Sequence, residues 1–396
     1  MRKKFSGPVI KLAFYLGLVW FTFWQPVIVI FWLKNGLTMS SIMILKSLHG
    51  IAVLLLEVPT GVITDRFGAR TSFIFASILY VLSLIVYVFG HSFSVFLVAE
   101  LIAAFGTALV SGSDSAYVYT LLNSENKSSL FSDIFGKINS VRLLSQTVAG
   151  ILGGFVAQFI SLRATLALTI IPNAASIFVA ISLPNVKVKV RKGETILSMF
   201  GRGVRSLFAG ITNMRLSINY ITIATAGLLL FWIYQPYLKK IGVPLAYFGI
   251  LMAVFNFTAM SFSSFSGVIR RFLGATKSVL LINLLFIFSA LFMGFAFGPQ
   301  GAIFILGLQA VRGMQPAIFH ELILNNTDPD SRATSLSILN MMKRASFVAF
   351  APILGVAVDK YGVFISIRGI ALFVAIVITG VFVLTAFVGI IATSDV

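Results

Sequence analysis

Ionisable side chains inside long apolar runs are the residues of this sequence best placed to do chemistry. Glu57, Asp114 and Arg142 lie in such runs in the first half of the chain, and Arg312 and Arg344 in the second. A charge in hydrocarbon costs about 2.5–3.5 kcal/mol on insertion scales, so it normally faces a partner or a water-filled cavity. A carboxylate there can bind a proton, and a cation can bind an anionic group. These residues predict a substrate or proton pathway; a structural ion pair is the alternative for Asp114 and Arg142, and hydrogen bonding without titration for Glu57.

Amide and aromatic side chains in the same runs predict a binding site for an organic molecule. Gln25 and Gln235 each stand directly before a proline, and Tyr234 precedes the second of them. Proline frees a backbone carbonyl, while amides and rings suit an amphipathic ligand. Gln146 adds a third amide, one helical turn after Arg142. We assign these four residues to the same substrate or proton pathway, with hydrogen bonding between helices as the alternative for the two Gln-Pro pairs.

Twelve apolar runs must position these side chains, and we number them spans 1 to 12. An α-helix rises about 1.5 Å per residue, so about 20 residues cross a hydrocarbon core of about 30 Å. The predicted fold class is therefore an all-α integral membrane protein, with both termini on one side. Lys and Arg concentrate in the loops on that side, which supports cytoplasmic termini. The expected location is the cytoplasmic membrane. The spans lie near residues 9–33, 40–64, 71–90, 93–122, 133–160, 162–183, 215–238, 244–269, 277–297, 300–324, 332–358 and 364–390.

Composition excludes several classes of protein. The chain has 396 residues, of which 58% are hydrophobic and 11% charged, too few charges to cover a water-soluble domain. The net charge of +18 does not indicate a nucleic-acid partner, because the basic residues separate the apolar runs instead of forming one basic face. There is no cysteine and there are three scattered histidines, so we predict neither a metal site nor a cofactor. No nucleotide-binding loop or catalytic constellation is present, so we expect no enzyme and no direct use of ATP.

A charged motif lies between spans 2 and 3 and consists of Gly61, Asp65, Arg66, Gly68 and Arg70. Its spacing, G-x-x-x-D-R-x-G-x-R, resembles the signature loop of the major facilitator superfamily of secondary transporters, which joins helices 2 and 3 on the cytoplasmic side. The resemblance implies twelve helices in two pseudo-symmetric six-helix bundles, alternating access to a central site, and a gating role for these five residues. A basic turn that only fixes topology is the alternative.

The two halves of the chain resemble each other, as a duplicated six-helix unit requires. We therefore predict an N-terminal bundle at 1–183, a cytoplasmic linker at 184–214 and a C-terminal bundle at 215–396. The basic linker is either an amphipathic helix on anionic lipid or a solvated tether. The recurring features are Gln25-Pro26 with Gln235-Pro236, Gly68-Ala69 with Gly274-Ala275, and Arg142 with Arg344.

A polar stripe in span 4 is formed by Glu100, Thr107, Ser111 and Asp114, which share one helical face. In the superfamily this helix lines the cavity, although many members carry an arginine near the position of Glu100. The role of Glu100 therefore stays open. His49 in span 2 is interpreted as a packing residue, with proton binding as the alternative.

The function predicted from these features is proton-coupled export of a small organic solute, amphipathic or partly anionic. The expected partners are that solute, protons and membrane lipids, and we expect a monomer. The stretch 149–154 partly resembles an element associated with antiporters of the superfamily, although close helix packing explains the same small residues. The alternatives are an uptake symporter or facilitator, and a membrane sensor or scaffold that transports nothing.

Overall fold

The computed structural model describes residues 7–111, 113–124, 127, 130–186, 204, 205, 207, 208, 210–327 and 332–394. Within these residues the regular structure is entirely helical. The first half contains α1 (Gly7–Val19), α2 (Ile28–Lys34), α3 (Met39–Phe67), α4 (Ala69–Phe89), α5 (Phe93–Val110), α6 (Ser113–Ser124), α7 (Phe131–Phe159) and α8 (Leu162–Ile181). The second contains α9 (Gly210–Lys240), α10 (Ala246–Met293), a 3-10 turn (Pro299–Gly301), α11 (Ala302–Asn325), α12 (Arg332–Tyr361) and α13 (Val363–Ser394).

The prediction of twelve membrane spans is confirmed. Ten helical segments of the described chain are long and apolar enough to cross a bilayer, and α5 with α6 makes one of them. The 48 residues of α10 contain two spans, which meet at Gly274 where φ is 76°. The short helices α1 and α2 together supply span 1. Large apolar side chains on the outside, such as Phe178 (74% exposed) and Phe272 (88% exposed), suit contact with acyl chains.

The chain divides into two compact units. The first contains α1 to α8 with Pro244–Ala253 at the start of α10, and the second contains α9 and the chain from Val254 onward. In the first unit α4 packs on α5 and α8, α3 on α5, and α1 on α7 and α8. In the second, α9 packs on α11, α12 and α13. The bundle limits 1–183 and 215–396 stay a prediction, and most of the linker 184–214 lies outside the described residues.

Backbone geometry repeats between the two halves at a constant spacing. Gly36 and Gly242 have φ of 84° and 86° and each ends a helix with a Schellman motif. In the first motif the Leu37 N–H donates to the Trp32 carbonyl at 3.1 Å, and in the second Val243 donates to Leu238 at 3.0 Å. Gly68 and Gly274 repeat in the same way, with φ of 89° and 76° between consecutive spans. Both pairs are 206 residues apart, which supports the duplication inferred from sequence.

Span 1 differs from the continuous helix that its apolar run predicts. Residues 20–27 are not helical, and we call this segment the span 1 break. Its backbone finds partners on other helices: the Phe23 N–H donates to Thr169 Oγ1 of α8 at 3.1 Å, and Gly153 of α7 lies against the Phe23 carbonyl. Proline alone does not cause the break, because Pro236 lies inside the uninterrupted α9. The neighbouring helices, by satisfying freed backbone groups, make the difference.

Candidate functional site

The span 1 break brings three of the predicted site residues together. Gln25 lies in the break, and its Oε1 accepts hydrogen bonds from Gln146 Nε2 and, at 3.2 Å, from Thr22 Oγ1. The guanidinium of Arg142 stacks over the ring of Trp20, 5.0 Å from its centroid. Gln25, Gln146 and Arg142 therefore form one polar surface where α7 meets the break.

A second interruption, between α5 and α6, positions the two predicted acids. Glu57 Oε1 accepts a hydrogen bond from Ser111 Oγ at 3.3 Å, just before α6 begins. Asp114 lies in the first turn of α6, and its Oδ1 accepts from the Ser115 N–H at 2.6 Å. The N-terminal end of a helix favours such a carboxylate. The charges of Asp114 and Arg142 influence each other, but these two side chains do not form an ion pair with a nitrogen–oxygen distance within 4.0 Å.

The polar stripe of span 4 does not face one cavity. Thr107 accepts a hydrogen bond at 3.4 Å from Tyr80 of α4, whereas Ser111 contacts α3. Glu100, at the N-terminal end of the stripe, is only 6% exposed and is enclosed by α3 and α4. The stripe is thus divided between packing inside the first unit and the acids beside α6.

Glu100 is the centre of a buried charged cluster, hereafter the Glu100 cluster, with Lys46, His49 and Tyr87. Its Oε2 lies 3.0 Å from Lys46 Nζ and 2.6 Å from His49 Nδ1, and its Oε1 accepts from the Tyr87 hydroxyl at 2.6 Å. Sequence reasoning missed this cluster because its members come from three helices. The available signal was Lys46 and His49, one helical turn apart inside an apolar run.

The predicted gating residues lie at two helix ends and not in an extended loop. Helix α3 continues to Phe67, Gly68 alone turns the chain with φ of 89°, and α4 begins at Ala69. Among the described residues, Asp65 has no hydrogen-bond or ion-pair partner. Asn185, just after α8, lies against Gly68 and donates from Nδ2 to the Phe67 carbonyl at 3.2 Å.

Arg66 and Arg70 flank this turn. The guanidinium of Arg66 lies 5.4 Å from the centroid of the adjacent Phe67 ring, and Arg70 is half-buried in the first turn of α4. Gly61 lies one turn earlier in α3 than Asp65 and has open space around it. The gating role of all five residues stays a prediction.

In the second unit, a polar cluster joins α9, α10 and α11. Arg312 is exposed and donates to Asn256 Oδ1 at 2.7 Å. Tyr234 is buried, at 6% exposed, and interacts with Arg312 and with the amide of Gln309. Gln309 is 2% exposed, and its Oε1 has no hydrogen-bond partner within the described structure. Gln235 is also buried, at 8% exposed.

Arg344 lies on a different helix, α12, and its side chain is exposed. The preceding Lys343 donates to Asn340 Oδ1 at 3.4 Å. The acid on α11 does not balance these charges, because Glu321 pairs with Arg270 at 3.4 Å. The described part of the chain contains no group of three or more His, Asp or Glu residues able to hold a metal ion.

Comparison with known proteins gives a family and a fold. The sequence matches the Major Facilitator Superfamily over residues 12–351. The structure is similar to that of the nucleoside transporter NupG, with a TM-score of 0.77, 15% identity, and 96% of this chain and 99% of that one covered. A bacterial homologue of the human lysosomal transporter Spinster, inward-facing and unoccupied, gives a TM-score of 0.75 at 14% identity, covering 96% and 97%.

A transporter of the POT family in complex with 5-aminolevulinic acid is also similar. It gives a TM-score of 0.70 at 12% identity, with 96% of each chain covered. At these identities the structural likeness shows the fold alone. A search among curated protein sequences gives no match.

Proposed function

Because the chain belongs to the Major Facilitator Superfamily, we propose that it is a secondary transporter exporting a small, partly anionic organic solute in exchange for protons. Family and fold identify a multi-pass membrane transporter and not an enzyme. The direction, the proton and the class of solute belong to the proposal, as do the cytoplasmic membrane, the cytoplasmic termini and a monomer in contact with lipids.

The observation that carries the solute class is the cluster around Arg312. Asn256 holds one edge of the guanidinium, which leaves other N–H donors for a carboxylate or phosphate. The buried Gln309 Oε1 lacks a donor, and a buried acceptor of this kind normally has one. A solute with an anionic group and a neighbouring hydroxyl or amine satisfies both. The aromatic ring of Tyr234 supplies an apolar wall beside them.

The first unit has a polar surface of its own that can contact a polar organic solute, at the span 1 break. Gln25 and Gln146 present amide groups, and Arg142 adds a cation stacked on Trp20. Antiport is supported by the resemblance of 149–154 to the antiporter element, although Gly153 also has a packing role against Phe23. The Glu100 cluster and the acids beside α6 provide groups for proton coupling.

The test uses purified protein in liposomes. A thermal-shift screen of carboxylated and phosphorylated metabolites selects ligands, because a ligand of the folded state raises its apparent stability. Counterflow of the best radiolabelled hit then measures transport, with R312Q as the variant. We expect R312Q to weaken binding at least tenfold. R368Q is the matched control, because Arg368 stacks on Phe295 away from the Arg312 cluster.

The outcomes separate the candidate functions. Export that stops when a protonophore collapses the gradient supports the proposal. Counterflow that does not depend on the proton gradient indicates a facilitator. Accumulation of the solute driven by an inward proton gradient indicates an uptake symporter. No counterflow of any ligand that binds indicates a sensor or scaffold.

A further inference from the structure

We propose that the coupling proton binds to His49 in the Glu100 cluster, and not to Glu57 or Asp114. This inference rests on the proposed function, since it names the site of the proton in that exchange. Four observations carry it: the contacts of Glu100, the accessible side of His49, the charge balance of the cluster, and its connection to α2.

Both oxygens of the Glu100 carboxylate are occupied by donors. Lys46 Nζ and His49 Nδ1 share Oε2 at 3.0 and 2.6 Å, and the Tyr87 hydroxyl donates to Oε1 at 2.6 Å. A carboxylate that accepts three such bonds is held as an anion. Its contact with His49 assigns a hydrogen to Nδ1, so in the neutral imidazole the other nitrogen, Nε2, is the acceptor.

The imidazole of His49 is the most exposed side chain of the Glu100 cluster. Its side chain is 21% exposed, against 7% for Glu100 and 13% for Lys46. Its Nε2 has no partner among the described residues. Imidazole is also the side chain whose charge ordinarily changes near neutral pH. Nε2 of His49 is therefore a proton-accepting atom at the edge of an otherwise enclosed ionic group.

The charge balance makes the cluster respond to that proton. With His49 neutral, Lys46 and Glu100 cancel. A proton on His49 gives two cations competing for one oxygen, Oε2, and leaves one positive charge in apolar surroundings. The other charged or titratable groups of the cluster are Lys46 from the same helix α3, Glu100 from α5 and Tyr87 from α4, with the non-titrating indole of Trp32 from α2 beside Lys46.

When the bond between Lys46 and Glu100 weakens, the Lys46 ammonium has a second partner available. Lys46 Nζ lies 5.8 Å from the centroid of the Trp32 ring, within the range of a cation–π contact. Trp32 belongs to α2, which packs on α3 and α8 and follows directly on the span 1 break containing Gln25. Proton binding at His49 thus shifts Lys46 toward α2, the helix that leads to the polar surface of the first unit.

Histidine NMR tests the site directly, with the proton itself as the ligand. Full-length protein labelled with ¹³C-histidine in lipid nanodiscs has three imidazoles, and single His→Gln variants assign them. We expect the imidazole signal that is lost in H49Q to change when the pH is lowered, because the inference requires a proton to bind at Nε2. E100Q, which removes the anion beside the imidazole, should weaken this response. A His49 signal that does not respond to pH overturns the inference.

Tryptophan fluorescence tests the connection to α2. Replacing Trp20, Trp24 and Trp232 with Phe leaves Trp32 as the one reporter of the four tryptophans. Its emission should change when the pH is lowered and should lose that change in H49Q. H91Q and H320Q are matched controls, because His91 contacts Arg163 and His320 packs on Tyr220. An unchanged response in H49Q overturns the inference.

Transport separates failure of the inference from failure of the proposed function. For the solute that passes counterflow, H49Q should keep gradient-independent exchange and lose gradient-driven export at least tenfold, while H91Q and H320Q keep both. Gradient-driven export that remains intact in H49Q overturns the inference alone. If the unsubstituted protein shows no response to the gradient, the proposed proton exchange fails and the inference fails with it.

Discussion

One additional methyl group at Gly153 tests whether α7 holds the span 1 break in place. A Cβ at this position would overlap the Phe23 carbonyl oxygen and lie 2.7 Å from its carbonyl carbon. Carbon atoms in contact lie about 3.5–4.0 Å apart, so helix and break must separate by about 1 Å. G153A therefore pushes α7 away from the segment that contains Gln25.

The expected cost follows from two contributions. Overpacking of a well-packed site costs about 1–3 kcal/mol. The displaced Phe23 N–H also risks its 3.1 Å bond to Thr169, and a buried donor without a partner costs about 1–3 kcal/mol. We expect G153A to lower the free energy of unfolding by about 2–4 kcal/mol, because the neighbouring backbone is held by contacts with α7 and α8.

Denaturant titration of the purified protein in mild detergent measures this difference, and the same helix supplies the control. A Cβ at Gly150 meets no atom within 4 Å, so G150A adds the same methyl group to open space. G150A should change the unfolding free energy by less than about 0.5 kcal/mol. Equal stability of G153A and G150A would refute the claim that contact with α7 maintains the break.

Three further predictions use the same assay. G68A should cost about 1–2 kcal/mol, because an L-residue is strained at φ of 89°, whereas G61A in the helical part of the motif should not destabilise; equal losses would contradict this. T169V removes the side-chain acceptor of a backbone N–H in the break and should cost about 1–3 kcal/mol, and a neutral result would show that water replaces it. K46M should cost about 3–5 kcal/mol by leaving Glu100 unbalanced, and K46M with E100Q should recover most of that loss. Additive losses in the double variant would argue against a coupled pair.

Hydropathy and the spacing of sequence motifs were sufficient to predict the fold. Apolar runs predicted the spans, and the recurrence of Gly68-Ala69 as Gly274-Ala275 indicated the duplication that the paired backbone angles support. The span 1 break was not predictable from these signals, because Gln25-Pro26 and Gln235-Pro236 look alike and only the first interrupts a helix. The deciding groups, Gly153 and Thr169, lie far away in sequence.

The candidate site was only partly accessible to sequence reasoning. Depth in a span indicated which charged residues lie within the membrane-spanning helices, and it selected Asp114, Arg142 and Arg312, whose role in the pathway stays a prediction. Depth does not report which side of a helix meets which neighbour. Glu100 therefore looked like part of a cavity stripe, although it is the anion for Lys46 and His49.

Gln25-Pro26 interrupts a helix and Gln235-Pro236 does not, and this difference between the two halves has a mechanical consequence. An uninterrupted α9 transmits force along its axis as a stiff rod, because its own hydrogen bonds resist bending. The two helical pieces of span 1, α1 and α2, are held in their relative orientation by contacts of the break with α7 and α8. A protein built by copying one unit has thereby acquired one span whose course depends on neighbouring helices and one that is held by its own hydrogen bonds.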